Sequence, residues 1–226
     1  MGAVGATRET ALSEFGRLMR RRKMTREFRS ERIAPDLITE ILDAARRVPT
    51  AGNSQGLEFL VLDEPDAVER YWSTTFSESG RASFRWQGLF DAPVLISVYG
   101  DPDAYTDRYS EPDKTHAGLS SADGWTTPYW LVDASMAALA VQLGAIDAGL
   151  GVLLFGQFDH AGSVAKEFGV PEHMVTTGTI ALGWPAESAT RADPGSAETT
   201  AQPGLSSSRP RRNLESMVHK NRWPVA

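Results

Sequence analysis

Residues 130–156 read WLVDASMAALAVQLGAIDAGLGVLLFG. From Trp130 to Ala148 the stretch is apolar nearly all round, with Leu131, Val132, Met136, Leu139, Val141, Leu143 and Ile146 spread over every side of a 3.6-residue helix. A helix of that kind is expected to be buried. Gly149 then stops it, because glycine accepts the left-handed conformation in which helices end. Gly151 to Phe155 follows as a short apolar strand with glycines on both sides. A buried helix that feeds directly into a buried strand sets a core of mixed α and β structure.

Upstream, Pro93 to Tyr99 and Leu57 to Leu62 are compact apolar runs and read as strands. Residues 64–90 between them read as helical or mixed and carry Trp72, Phe76, Phe84, Trp86 and Phe90. Residues 100–128 are polar and rich in Asp, Ser and Gly, the composition of a long excursion; such segments commonly serve as lids or pocket walls. Before the first strand, Pro49 to Gly56 is a dense turn, and a helix with Pro35 in its first turn carries the stripe Leu37, Ile38, Ile41, Leu42 and Ala45. A further helix is expected over residues 8–20, from Leu12, Phe15, Leu18 and Met19. Downstream lie a helix from Ala161 to Phe168 stopped by Gly169, a strand from Val175 to Trp184, and a short terminal element from Leu214 to His219. Residues 185–208 are rich in Pro, Ala, Ser and Thr and read as a linker, part of an extended arm over 185–212. The whole, residues 1–226, reads as one α+β domain around a single sheet, mixed but mainly antiparallel, flanked by helices.

Composition narrows the chemistry. The 226 residues carry a net charge of −6, which argues against a general nucleic-acid binder. With no cysteine, disulfides, thiolate metal sites and cysteine nucleophiles are excluded, and any two-electron redox role requires a bound cofactor. The four histidines, His116, His160, His173 and His219, form no HExxH or HxH arrangement, so no metal is expected. No GxGxxG follows a strand and no GxxxxGK[ST] occurs. The N-terminal residues lack the apolar stretch of a signal peptide, and no apolar run reaches the roughly 20 residues that span a bilayer; the expected location is cytoplasmic, with no membrane partner.

Four segments carry groups suited to a ligand. Arg22, Lys23 and Arg26 bring three cations within reach of one phosphate. Pro49 to Gln55 combines small residues with the donors and acceptors of Asn53 and Gln55, which suits the edge of a planar ring. Gly149 to Gly156 offers backbone N–H groups at a strand end, and Arg209-Pro210-Arg211-Arg212 is a second basic cluster. Taken alone, each has a plain structural alternative: a solvated helix end, a helix-to-strand loop, a core strand and a basic tail.

In combination and order they resemble the FMN-dependent nitroreductase family over most of the chain. The family opens with Arg-Arg-Ser-x-Arg-x-Phe, matched by Arg22-Lys23-Met24-Thr25-Arg26-Glu27-Phe28. Ala-Arg-x-Ala-Pro-Ser-x-x-Asn-x-Gln is matched by Ala45 to Gln55, the Gly-Leu-Gly after the long helix by Gly149-Leu150-Gly151, Leu-Gly-x-Pro by Leu182-Gly183-Trp184-Pro185, and the closing Arg-rich Leu-Glu-x-x-Val-His by Arg211 to His219. The resemblance implies a nitroreductase-like fold in an interwoven homodimer, with FMN at the interface and the long helix as dimer core. It implies that Arg22 and Lys23 hold the FMN phosphate, helped by Arg209 and Arg211, and that Arg26 lies by the ribityl chain and the pyrimidine edge. Pro49, Thr50, Ala51, Asn53 and Gln55 would reach the partner subunit's FMN, while Leu154, Phe155 and Gly156 would lie against the ring with a backbone N–H near N5.

Two positions depart from the family pattern. Met24 replaces the usual serine, leaving only its backbone for the phosphate, and Phe155 stands where some members carry an acid, implying a more apolar pocket. Trp86, Trp125, Tyr129 and Trp130 are candidate walls of a substrate pocket and equally candidate core residues. The implied activity is a ping-pong exchange in which NADH or NADPH reduces FMN and an electron-poor nitroaromatic, quinone or enone is reduced in turn, with no catalytic side chain named. The same fold also supports dehalogenation, peptide dehydrogenation and flavin fragmentation. A dehalogenase acting on a zwitterionic amino acid would want the charges of the excursion, Asp101, Asp103, Asp107, Arg108, Glu111 and Lys114. A non-enzymatic flavin-binding protein is the remaining alternative.

Overall fold

The computed structural model describes residues 13–187 and 210–223. The chain divides into two units, residues 1–190 and 191–226. In the first, the order is α1 (Ser13–Arg21), β1 (Phe28–Arg29), α2 (Pro35–Ala45), β2 (Leu57–Leu62), α3 (Pro65–Thr75), α4 (Glu78–Ser83), β3 (Val94–Gly100), α5 (Pro102–Ser110), α6 (Tyr129–Asp147), β4 (Gly151–Phe155), α7 (Ala161–Phe168) and β5 (Val175–Pro185). The expected start of the first helix at residue 8 lies outside the described residues. In the second unit the described residues carry a 3-10 turn, Leu214–Ser216, at the expected terminal element.

β5 organises the sheet. β3 pairs along one flank of it and β2 pairs with β3; the other flank takes β4, then β1. Every described pairing is antiparallel, the limiting case of the mainly antiparallel sheet expected. β3 is buried along its whole length, because helices cover both faces. On one face α2 and α6 press Ile38, Ile41, Ala137, Ala138 and Val141 onto Ile96, Val98, Val152, Ile180 and Leu182. The alanines on the inner side of α6 bring its backbone close to the strands. On the other face Tyr71 and Trp72 of α3, with Val164 of α7, cover Leu95, Leu153 and Ala181. Fully burying side chains of this size is worth about 1.5–3 kcal/mol each.

Within the single chain α6 is buried on one side. Nine of its residues are buried, but Tyr129, Val132 and Leu139 are about 40% exposed. The exposed residues follow helical spacing, and Phe15 and Met19 of the neighbouring α1 are exposed with them. By length and composition α6 would also span a bilayer, contrary to the expectation of no such run, yet it holds Asp133 and Gln142 on the inner side that packs on the sheet. That is the pattern of a core helix with one apolar stripe left exposed among the described residues.

The 100–128 excursion is more ordered than its composition suggests. It contains α5 and 3-10 turns at Thr115–Ala117 and Ala122–Gly124. α5 has a single buried residue, Tyr105, so no apolar stripe marked it; the Asp101 side chain caps it by accepting the Asp103 N–H.

Candidate functional site

The first candidate region is the outer edge of β4. The Thr25 N–H donates to the Val152 carbonyl at 2.8 Å. In a strand, the N–H and C=O of one residue point to the same side and alternate along the chain. Val152 therefore faces away from β5, and so do Leu154 and Gly156, the residues two and four further on. Beyond Val152 β4 pairs only with β5 among the described residues, which leaves the Leu154 and Gly156 N–H groups open at a sheet edge. Gly151 permits the approach of Thr25, because a Cβ there would lie 2.8 Å from the threonine side chain.

This contact ties the segment that carries Arg22 and Arg26 to the edge at Thr25. Arg26 is part-buried, donates to the Met24 carbonyl at 3.4 Å, and sits 4.8 Å from the Trp86 ring centroid. Arg21 and Arg29 pair with Asp147 and Glu31, whereas Arg22 and Arg26 have no carboxylate partner among the described residues. Met24 packs against the aromatic core, which accounts for an apolar residue at that position. Phe155 does the same: its ring stacks on Trp72 at 5.8 Å and meets Tyr71 edge-on at 6.4 Å. The Phe155 ring is thus engaged with the core aromatics while its backbone lies in β4.

The second candidate region is the turn from Pro49 to Gln55. Gly52, Asn53 and Gln55 all have left-handed backbones, with φ of 62°, 58° and 56°. For the two non-glycine residues this costs on the order of 1 kcal/mol or more each. The strain is held by side chains distant in sequence. Buried Asp133 accepts the Ala51 N–H at 2.8 Å and the Tyr105 hydroxyl at 2.9 Å, both on Oδ2. Arg108 Nε donates to the Gly52 carbonyl at 2.9 Å while its two terminal nitrogens fork onto Asp113 at 2.8 Å each. Gly52 is required, because a Cβ would lie 2.7 Å from the Tyr109 ring. Burial, reinforced by Asp133, pushes the Tyr105 phenol far above its usual range, so it stays a donor. The hydrogen bonds from Arg108 hold the Asp113 carboxyl down at about 2. Pro49, Asn53 and Gln55 are exposed at the tip.

Beside this turn lies a groove of about 430 Å³, with Ala51, Tyr109, Trp125 and Tyr129 among its walls. Trp125 is fixed by its Nε1 donating to the Leu119 carbonyl at 2.9 Å and by Tyr109 edge-on at 4.8 Å. Of the four aromatics expected to form a pocket, Trp125 and Tyr129 line this groove. Trp130 is buried behind it against Tyr105, and Trp86 belongs to the β4 edge with Arg26.

Asp133, Tyr105 and Tyr109 were not singled out from sequence as site residues, and Arg108 entered only as one of the excursion's charges suited to an amino-acid substrate. An aspartate inside an otherwise apolar helix was the one available signal. The structure also brings Asp101, Asp103 and His173 together, with ligand atoms within 4.8 Å of one another, a grouping that no local spacing announces. Asp101 is already engaged there as the cap of α5. In the second unit Arg211 is exposed, and Arg209 lies outside the described residues.

The sequence model of the nitroreductase family matches residues 19–184. An NADH dehydrogenase of Thermus thermophilus is 26% identical over 182 residues, covering 74% of this chain and 84% of the relative. A nitroreductase family protein from Clostridium difficile 630 shares the fold with a TM-score of 0.64 at 21% identity, over 91% of this chain and 97% of that one. An FMN-dependent nitroreductase from Clostridium difficile R20291 superposes with a TM-score of 0.56 at 21% identity, over 75% and 87%. With most of the first unit inside the family match and the same helix-flanked antiparallel sheet, the chain belongs to the nitroreductase family of oxidoreductases.

Proposed function

We propose that the protein is an FMN-dependent NAD(P)H oxidoreductase that reduces electron-poor small molecules, nitroaromatics or quinones among them, as a homodimer. The observation that carries this reading is the open edge of β4 beside Arg22 and Arg26. A phosphate needs cations not already paired with carboxylates, and Arg22 and Arg26 meet that requirement among the described residues. A flat ring needs backbone donors at its edge, and the Leu154 and Gly156 N–H groups supply them. The residues therefore fit FMN. Arg22 and Lys23 would take its phosphate, and Arg26, braced by Trp86, would hold positive charge beside the ring.

When bound, FMN supplies the two-electron transfer between NAD(P)H and the acceptor. The chain's own part is to bind and orient it, and no side chain is assigned as acid or base. Pro49, Thr50, Ala51, Asn53 and Gln55, held rigid by Asp133 and Arg108, would reach the partner's FMN. The exposed stripe of α6 would be covered by the same partner. Relatives and structural neighbours named as NADH dehydrogenase and as FMN-dependent nitroreductase support the reading. A zwitterionic amino acid as substrate is disfavoured, because Arg108 is committed to Asp113, Glu111 and the Gly52 carbonyl, and Asp101 caps α5.

The test is a visible spectrum of the protein incubated with FMN, followed by anaerobic NADH and then NADPH, with sedimentation of the same sample. A flavin spectrum that bleaches, on a particle of dimer mass, is expected. Bound flavin that neither nucleotide reduces would leave a flavin-binding protein, and no flavin uptake would end the oxidoreductase reading.

A further inference from the structure

Immediately past β4, on the aromatic face of the sheet, lies a buried polar cluster that the proposed function does not use. Gln157 is 4% exposed. Its Nε2 lies 3.1 Å from Ser97 Oγ, 3.1 Å from Thr179 Oγ1 and 3.5 Å from the Tyr99 hydroxyl. Tyr71 donates to Thr179 Oγ1 at 2.7 Å, and Ser97 and Thr179 are 2.8 Å apart. The other end of the amide, Oε1, is buried with no partner. Turning the amide over would only exchange which end is unpaired. A leucine would fill this space without a buried unpaired polar atom, so the amide is a poor choice for stability alone.

What the amide holds is the exit of β4. Three irregularities meet at this end of the sheet. The β3–β5 register shifts between Val98 and Tyr99, and Gly178 opposite has φ of 123° with its missing Cβ 2.5 Å from the Phe155 carbonyl. Phe158, next to Gln157, has φ of 47° and is 85% exposed, its ring 3.0 Å from the position a Gly156 Cβ would take. Bulges and left-handed non-glycine residues collect where a strand is re-aimed for a ligand. Gln157 is drawn into the core between a residue that presents an open N–H, Gly156, and one pushed outward, Phe158.

We propose that Gln157 is a positioning residue: tied to Ser97 and Thr179, it fixes the strand exit so that the Gly156 N–H stays turned toward the bound redox ring. The inference rests on the reading that FMN lies along the β4 edge. Gln157→Leu removes the anchor with little change in volume; Thr179→Val removes its partner on β5; Thr179→Ser keeps the hydroxyl. The readouts are the FMN dissociation constant, by recovery of flavin fluorescence on dilution, the visible spectrum of bound FMN, and the melting temperature of the apoprotein. Gln157→Leu and Thr179→Val are expected to weaken FMN binding about five-fold or more and to shift the bound spectrum, with Thr179→Ser close to wild type. A purely structural role would lower the apoprotein melting temperature and leave affinity and spectrum of the folded variants unchanged, which would overturn the proposal. Should Gln157→Leu not fold, the Thr179 pair decides. A wild-type protein that binds no FMN sinks the functional reading as well; normal binding with unaffected variants sinks this inference alone.

Discussion

The β4 edge and the Pro49–Gln55 turn use the same residue type in opposite ways. At the edge, Arg22 and Arg26 have no carboxylate partner among the described residues, and the strand beside them keeps open N–H groups. At the turn, Arg108 is consumed internally, forked onto Asp113, bridged to Glu111 and latched to the Gly52 carbonyl. The edge is polar capacity held in reserve for a ligand. The turn is polar capacity already spent on holding a strained backbone. If the two regions are halves of one site completed across a dimer, the first should matter for affinity and the second for shape. Substitutions can separate these contributions.

The largest effect is expected at the turn. Asp133→Ala leaves the Ala51 N–H and the Tyr105 hydroxyl without their acceptor in a buried setting, at a cost of about 2–3 kcal/mol. Urea unfolding of the apoprotein should show that loss, and FMN retention should fall with it because the turn is no longer held. Asp133→Asn, which keeps an acceptor, should lie between wild type and alanine. At the edge, Arg22→Ala should weaken FMN by about 1.5–3 kcal/mol, roughly 10- to 150-fold in the dissociation constant. The apoprotein urea midpoint should move little, since the Arg22 side chain makes no hydrogen bond or ion pair among the described residues. An Arg22→Ala apoprotein destabilised as much as Asp133→Ala would erase the distinction between the two regions.

How much of this was legible beforehand follows from the range over which each signal acts. β2 and β4 were found with their bounds because each is a compact apolar run between breakers, Gly56 and Asp63 for one, Gly149 and Gly156 for the other. Arg22, Arg26 and the turn residues were found because their signals are local clusters of charge or of small residues. α5 was missed because it has no apolar periodicity and is held by its cap and by Arg108. The partners of the turn were missed because they lie far along the chain, with Asp133 82 residues from Ala51 and Arg108 56 residues from Gly52. Trp86 was grouped with Trp125 by residue type, and only the fold assigns it to Arg26. The exposed stripe of α6 was invisible for another reason. A helix apolar all round can be buried by its own chain or by a second copy, and sequence periodicity does not distinguish the two.

The smallest effect separates the regions by pH. In the unfolded chain Asp113 takes up its proton near its ordinary value of 3.8; in the folded protein the Arg108 hydrogen bonds hold it down to about 2. A lowered folded value means that the bound, charged form favours folding at higher pH. The contribution is therefore complete above about pH 4 and is lost as the pH falls through that value toward 2. Because the pair is solvent-exposed, water screens it and the effect should be small. Wild type and Asp113→Asn should differ in urea midpoint at pH 5, and the difference should close as the pH approaches 2. Arg108 keeps its Nε on the Gly52 carbonyl throughout, so the turn should lose its outer brace without opening, and the Trp125 emission, fixed beside Tyr109, should change little. A difference that stays constant across this range would mean that Asp113 does not brace Arg108 in solution. The turn would then rest on Asp133 and on an Arg108 latched to the Gly52 carbonyl without help from Asp113.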